Sequence, residues 1–318
     1  MTWVGGKPLQ PAPSTTAVVD LGSEASPVFE DERKVELTFI KPSDTDLQRS
    51  EGIGRIVVGG SERRTRIIDV FQKSPVRIML PIVPRGEIQE AVLINTGGGI
   101  AGGDRLKYDV TALQNASIAV TSQAAEKLYR ALDEPARVAT KLKATEAAKL
   151  AWLPQETIVF NAARIRRTTE IEVASGSELL ALEWLVLGRA AYGEEITGGH
   201  IAESWCLKRD GRLIWADTFR VTDEIFEHLP RNALLSQCKA IGTLIYFGPH
   251  LDTRLEFLRA IVPSLGCYCA VTAVNGVIIV RFASKLSFDL RLALRSFLQL
   301  FSQELGSDLF RVPKMWSC

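Results

Sequence analysis

Short runs of alternating apolar and polar residues recur through the first two thirds of the chain and constrain its fold more than any other feature. The alternation occurs at 35–39, 76–80, 106–110 and 213–221. It places one face of a strand in a core and the other in water. Roughly a dozen such candidates, separated by Gly, Asn and Ser, continue to about residue 222 and predict an all-β layered fold. We expect one short helix among them, at 123–132.

The C-terminal part has a mixed pattern. After the breaker Gly248-Pro249, apolar residues recur at helical spacing, and Asn275-Gly276 favours a hairpin turn between two strands. In order, we expect a strand, a helix, two strands and a second amphipathic helix at 240–247, 251–262, 267–274, 277–282 and 288–305. This β-α-β-β-α order predicts an α+β module appended to the β-rich body.

These patterns divide the chain into three predicted segments. Residues 1–32 are poor in periodicity and rich in Pro, Ser and Thr, so we predict a disordered leader. Residues 33–235 form the predicted β body, and residues 236–318 form the predicted C-terminal module packed on that body.

Composition excludes several classes of function. The chain of 318 residues has 38 Lys and Arg against 37 Asp and Glu, so no basic field predicts nucleic-acid binding. No apolar run is long enough to span a membrane, and the N-terminus lacks a signal peptide. Five cysteines with no CxxC indicate reduced thiols. We therefore predict a cytoplasmic protein.

A glycine-rich segment at 93–104 is the most conspicuous motif. Gly97, Gly99 and Gly102 formally satisfy GxGxxG, and a nucleotide-binding module is one interpretation. Such a site needs a helix to begin directly after the glycines. Alternation at 105–110 predicts a strand there instead. The second interpretation is a glycine turn that allows close backbone approach, or that lines a passage without side chains blocking it.

Candidate catalytic and metal-binding residues are sparse. Glu156 and Glu194 would suit a carbohydrate-active β-helix enzyme if they converged, although solvated turn residues are the ordinary interpretation. The three histidines are scattered without HxxxH spacing. Cys267 and Cys269 lie on one side of a predicted strand and could bind a soft metal, although such cysteines are more often small buried apolar residues.

Taken in order, five segments resemble those of the urease accessory protein UreD (UreH) family. They are GGIAGGD at 98–104, EKLYR at 126–130, WLPQETIVF at 152–160, LGRAAYGE at 187–194 and PKMW at 313–316. The chain departs from the family pattern in having Ala101 for Val, Leu128 for Phe and Lys314 for Arg. Asn161 stands where an acidic or Pro-Gly continuation is usual. The resemblance runs from about residue 33 to the end.

The resemblance implies a fold and a function. The fold would be mainly β, a β-helix-like stack of short strands in layers with two C-terminal α-helices. The protein would not be an enzyme but a urease maturation factor, a scaffold that binds UreF, recruits the GTPase UreG and docks on the urease structural subunits. It would hold no permanent cofactor, and nickel(II) would pass through it in transit.

We predict site residues from the motifs that carry the resemblance. Carboxylates bind nickel less tightly than clustered imidazoles or thiolates, and a conduit must release its ion, so we take Asp104, Glu156 and Glu194 as weak transit ligands. Alternatively, Asp104 caps the glycine turn through hydrogen bonds. We expect Trp316 to belong to an apolar partner-binding surface. The channel and motif residues are Gly98, Gly99, Gly102, Gly103, Thr121, Tyr129, Arg130, Trp152, Gln155 and Arg189.

Overall fold

Two β-sheets form the body of the chain in the computed structural model, which describes residues 49–61, 64–83, 88–189 and 192–317. Within these residues, sheet 1 has seven strands in the order β14 (Arg212–Val221), β13 (His200–Arg209), β11 (Arg164–Val173), β8 (Ala136–Ala144), β5 (Arg105–Ala112), β1 (Glu51–Ser61) and β2 (Arg64–Lys73). The predicted leader and the predicted strand at 35–39 lie outside the described residues.

Sheet 2 packs against sheet 1. Eight of its described strands run in the order β16 (Tyr268–Val274), β17 (Val277–Ser284), β15 (Ala240–Phe247), β12 (Glu178–Leu187), β9 (Lys149–Leu153), β6 (Ser117–Ser122), β4 (Gln89–Asn95) and β3 (Val76–Met79). Two short strands, β7 (Glu126–Leu128) and β10 (Thr157–Val159), pair with each other, and β10 also pairs with β12.

The chain alternates between the two sheets, so that successive coils stack in parallel. Val110, Leu142, Ile171 and Leu207 occupy one registered row across β5, β8, β11 and β13. Because each strand turns alternate residues inward, equivalent apolar positions of successive coils pile into one core. The prediction of a mainly β, β-helix-like stack is confirmed.

The predicted helix at 123–132 is wrong. The chain there forms β7, whose residues pair in parallel with β10, and Glu126 N donates to Glu156 O at 2.8 Å. Partners about thirty positions away satisfy the backbone, so tertiary pairing overrides the local preference. β9 and β10 lie on either side of Pro154.

The C-terminal β-α-β-β-α order is confirmed. After a short helix, α1 (Asp223–Phe226), come β15, α2 (Leu251–Ile261), β16, β17 and α3 (Ser287–Leu305). Asn275 and Gly276 have φ of 50° and 85°, as the predicted hairpin turn requires. β15 pairs antiparallel with β12, so the three C-terminal strands extend sheet 2.

β12 lies at the centre of two cores, and all ten of its residues are buried. Its Leu179 and Ala181 face sheet 1, whereas Leu180, Leu182 and Trp184 face the C-terminal helices. This double burial explains the long apolar run at 179–187. No helix in the described ranges is long and apolar enough to cross a membrane.

Candidate functional site

A layer of polar side chains interrupts the apolar core between the two sheets. In sheet 1, Tyr108, Thr140 and Thr169 occupy one registered row. In sheet 2, Glu183 and Thr243 are registered in the same way. Apolar clusters lie on either side of these rows. The polar layer consists of Tyr108, Thr140, Arg167, Thr169, Glu183, Glu203, Asp217, Thr243 and Arg281.

Arg167 lies at the centre of the polar layer. Its Nη1 is 2.9 Å from Glu203 Oε1 and 3.5 Å from Glu183 Oε2, and its Nη2 donates to Thr157 Oγ1 at 2.6 Å. Thr169 Oγ1 donates to Glu183 Oε1 at 2.9 Å. All five residues are buried. Two carboxylates therefore share one buried guanidinium.

Burial shifts the ionisation of this group. It raises the pKa of Glu203 to about 7, against the opposing charge of Arg167. Burial alone would lower the pKa of Arg167, but the charges of Glu203 and Glu183 outweigh it and raise that pKa. The guanidinium thus stays charged, whereas Glu203 takes up a proton more readily than an ordinary carboxylate.

A cavity of about 240 Å³ opens beside the polar layer. It is lined by Gly98, Glu126, Trp152, Gln155, Arg167 and Glu183, among others. Asn95 Nδ2 donates to the carboxylate oxygens of Glu126 at 3.1 and 3.2 Å, and burial raises the pKa of this carboxyl group. Trp152 Nε1 is buried and has no hydrogen-bond partner among the described residues. This inter-sheet cavity is therefore a partly open space that contains acidic side chains.

The polar layer continues from the cavity to an edge of the two sheets. Thr243 pairs with Glu183 on one side and with Arg281 on the other. Arg281 Nη2 is 2.6 Å from Asp217 Oδ2 on sheet 1, and the Arg281 side chain is 43% exposed. A row of polar groups therefore joins the interior to the surface.

The glycine segment forms a tight turn between β4 and β5, and no helix begins after it. This contradicts the nucleotide-binding interpretation, which needs a helix N-terminus at that point. Asp104 Oδ2 accepts from Ala101 N at 2.8 Å, and Asp104 Oδ1 accepts from Ser50 N at 2.8 Å. Asp104 therefore holds the turn by hydrogen bonds.

Close packing explains two of the glycines. At Gly99, φ is 154°, and a Cβ would lie 2.4 Å from the ring of Tyr129. The hydroxyl of that Tyr129 donates to Gly98 O at 2.9 Å. At Gly102, a Cβ would lie 2.6 Å from Glu134 O. Larger side chains would separate the turn from the segment after β7.

Glu156 lies beside α3. Arg291 Nη2 is 2.7 and 2.6 Å from its two carboxylate oxygens. Gln155 lies beside it, lines the inter-sheet cavity and donates to the carbonyl oxygens of Gln123 and Met315 at 2.8 and 3.2 Å. Glu156 does not line that cavity.

Glu194 lies on a different part of the molecule. Its Oε2 accepts from Arg189 N and Nε at 3.0 and 2.9 Å, and its Oε1 accepts from Asn161 N at 3.2 Å. The hydrogen bond from Arg189 lowers the pKa of Glu194. The guanidinium of Arg189 lies 4.3 Å from the ring centroid of Phe160. Glu194 also lines a second cavity, of about 350 Å³.

The three predicted transit ligands therefore do not form one site. Asp104 binds the glycine turn, Glu156 binds α3, and Glu194 binds the loop after β12. Within the part of the chain that the structure describes, no group of three His, Cys, Asp or Glu residues could hold a metal ion. Cys267 and Cys269 are partly buried there, and burial raises the pKa of both thiols.

Trp316 is buried, with 2% of its surface exposed. Its Nε1 donates to Leu153 O at 3.2 Å, and its ring centroid lies 5.9 Å from that of Trp184. The ring therefore belongs to the core beneath the C-terminal helices and is not exposed in the folded chain. Thr121 is also buried and donates to Leu153 O at 2.7 Å, whereas Arg130 is exposed.

Sequence reasoning missed the acids that face the interior, namely Glu126, Glu183 and Glu203. One signal was present, since Glu183 interrupts the most apolar run of the chain. A second signal was Arg167, which lies on the same face of its strand as the apolar residues Ile165 and Ile171. A charged residue at an inward position requires a buried partner.

Comparison with known proteins places the chain in a family. The model of the UreD urease accessory protein family matches residues 50–317. A urease accessory protein UreD from Mesorhizobium japonicum is 38% identical over 272 residues, which cover 85% of this chain and 95% of that protein. One from Methylobacterium sp. strain 4-46 is 37% identical over 283 residues, covering 86% and 97%. The chain belongs to the UreD family of urease accessory proteins, and its role lies in urease maturation.

Proposed function

We propose that the chain is a non-enzymatic scaffold that binds UreF, recruits UreG and docks on the urease structural subunits, and that nickel(II) passes between its two sheets. The observation that carries the nickel path is the inter-sheet cavity, which is lined by Glu126 and Glu183. It adjoins the polar layer, whose side chains reach the surface at Arg281 and Asp217. Nickel is the cargo of this path and not a resident cofactor.

The chemistry of the lining favours transit over storage. Carboxylate and hydroxyl oxygens bind nickel(II) less tightly than imidazoles and thiolates do. A path for ions must bind its ion weakly enough to release it. The absence of a three-ligand group among the described residues supports this interpretation.

The transit role that we predicted for Asp104 and Glu156 has weaker support, because both are engaged by donors of the protein itself. Glu194 lines the second cavity and stays a candidate for one end of a path. We therefore assign the interior part of the path to Glu126 and Glu183.

Exposed apolar side chains support the scaffold role. Leu286, Phe288 and Leu292, at the start of α3, are 58%, 65% and 48% exposed. Apolar surface of this kind marks a protein-binding site and lowers solubility when it is uncovered. We propose that UreF covers it in the cytoplasm, so the chain expressed with UreF should be more soluble than the chain alone.

Urease activation in cells tests the nickel path. Glu126→Gln and Glu183→Gln keep the shape of each side chain but remove its charge, and both should lower urease activation while the complex with UreF still forms. Glu170→Gln is the matched control, because Glu170 lies on the outer face of β11 with its side chain 61% exposed. Normal activation in both interior variants, with complexes intact, would exclude the path.

A further inference from the structure

We propose that Arg167 is a tethered counterion, which occupies the place between Glu183 and Glu203 that a divalent cation would otherwise take. Because the guanidinium fills that place, a divalent cation that passes through the interior is not trapped between the two carboxylates. The identity of the cargo, nickel(II), rests on the proposed function, whereas the role of the guanidinium rests on geometry.

The guanidinium of Arg167 lies where a cation bridging the two carboxylates would lie. One nitrogen, Nη1 of Arg167, lies between the two carboxylates, at 2.9 Å from Glu203 Oε1 and 3.5 Å from Glu183 Oε2. Both oxygens are buried, and neither receives a hydrogen bond among the described residues. Buried oxygens without a hydrogen bond are rare in folded proteins. Charge alone holds this contact, so a cation could take the same place only by displacing the guanidinium.

The charges of Glu183, Glu203 and Arg167 do not balance. Two carboxylates facing one guanidinium leave one negative charge unmatched when both are ionised. A divalent cation would match both charges, and oxygen atoms of Thr157 and Thr169 lie beside the pair as further ligands. Without Arg167, the site has the composition of a cation site.

Arg167 is fixed to β11 and cannot diffuse away from the two carboxylates. Because the guanidinium belongs to the same chain, it competes with an arriving ion at a high effective concentration. It is held in position by its hydrogen bond to Thr157 Oγ1 at 2.6 Å. An ion that enters the inter-sheet cavity therefore meets carboxylates that are already occupied, and its residence time is short.

Nickel(II) binding by the full-length chain, purified with UreF, tests this role by equilibrium dialysis. Arg167→Gln should bind one more nickel ion per chain than the unmodified chain does. Its affinity for nickel(II) should be higher by about ten-fold or more, because groups that surround metal ligands change metal affinity on that scale. Adding Glu183→Gln and Glu203→Gln should abolish the gain. Arg281→Gln is the control, because Arg281 is paired with a single carboxylate, that of Asp217, and should gain no site.

The same variants also serve as controls for loss of folding. If Arg167→Gln does not fold alone, nickel(II) should restore its folding, and the triple variant, which lacks all three charges, should fold without metal. A folded Arg167→Gln protein with unchanged nickel binding would overturn the proposal, as would failure of nickel to restore an unfolded one.

The dialysis result is independent of urease activation. Gain of a nickel site in Arg167→Gln, together with normal activation by Glu126→Gln and Glu183→Gln, would support the tethered counterion and exclude the path. Loss of activation in those two variants, without a gain in Arg167→Gln, would support the path and overturn the counterion.

Discussion

Arg291 joins α3 to the turn that carries Glu156, and we expect this contact to be structural. Its Nη2 is 2.6 and 2.7 Å from the carboxylate oxygens of Glu156 and also donates to Gln155 Oε1 at 3.0 Å. Its guanidinium lies 5.7 Å from the ring centroid of Trp184. Removing either charge should therefore loosen the C-terminal helix from sheet 2.

The size of the effect follows from partial burial. The side chains of Arg291 and Glu156 are 23% and 13% exposed, which places the pair between surface and buried ion pairs. Surface pairs contribute at most about 1 kcal/mol, whereas breaking buried ones costs about 3–5 kcal/mol. We expect a coupling free energy of about 1.5–3 kcal/mol, the range for hydrogen bonds to charged groups.

A double-mutant cycle measures this coupling. Glu156→Gln, Arg291→Met and the double variant are compared by urea unfolding followed through tryptophan fluorescence. The control cycle uses Arg55 and Asp69, an ion pair at 2.9 Å whose side chains are 47% and 46% exposed, and should give less than about 1 kcal/mol. A coupling no larger than this control would refute the structural role. Loss of urease activation in Glu156→Gln but not in Arg291→Met would instead indicate a metal contact.

Three further predictions concern stability. Trp316→Ala should lower the free energy of unfolding by about 3–5 kcal/mol in urea titrations, because the ring is buried, and a loss below about 1 kcal/mol would contradict its place in the core. The raised pKa of Glu203 makes its contribution to stability greatest below about pH 4.5, and that contribution is lost as the pH rises through about 7. The Tm of Glu203→Gln should therefore rise relative to the unmodified chain across that interval, and a constant difference would refute the shift. Gly102→Ala should cost about 1–3 kcal/mol through its contact with Glu134 O, whereas Gly198→Ala, whose nearest neighbour is a side-chain oxygen at 3.1 Å, should cost less.

The elements that sequence predicts well are those whose pattern is local. The strand expected at 240–247 is Ala240–Phe247, and the helix expected at 288–305 is Ser287–Leu305. Alternation and helical spacing depend only on neighbours in the chain. The stretch 123–132 was mispredicted because β7 depends on β10, whose residues lie about thirty positions away.

The candidate site was less predictable. The motifs led to Asp104, Glu156 and Glu194, and the structure places each of them against donors of its own neighbourhood. Of the acids of the interior, Glu126 stands at an ordinary strand position, and Glu183 is marked only by interrupting an apolar run. Spacing along the chain does not show which inward positions of different coils meet.

The sequence by itself determined the family, the predominance of strands and the order of the C-terminal elements, because motifs and periodicities are properties of adjacent residues. Only the tertiary structure decided that Arg167, Glu183 and Glu203 share one buried site. They belong to three strands in two sheets, and they become neighbours only because stacked coils turn equivalent positions towards the same interior.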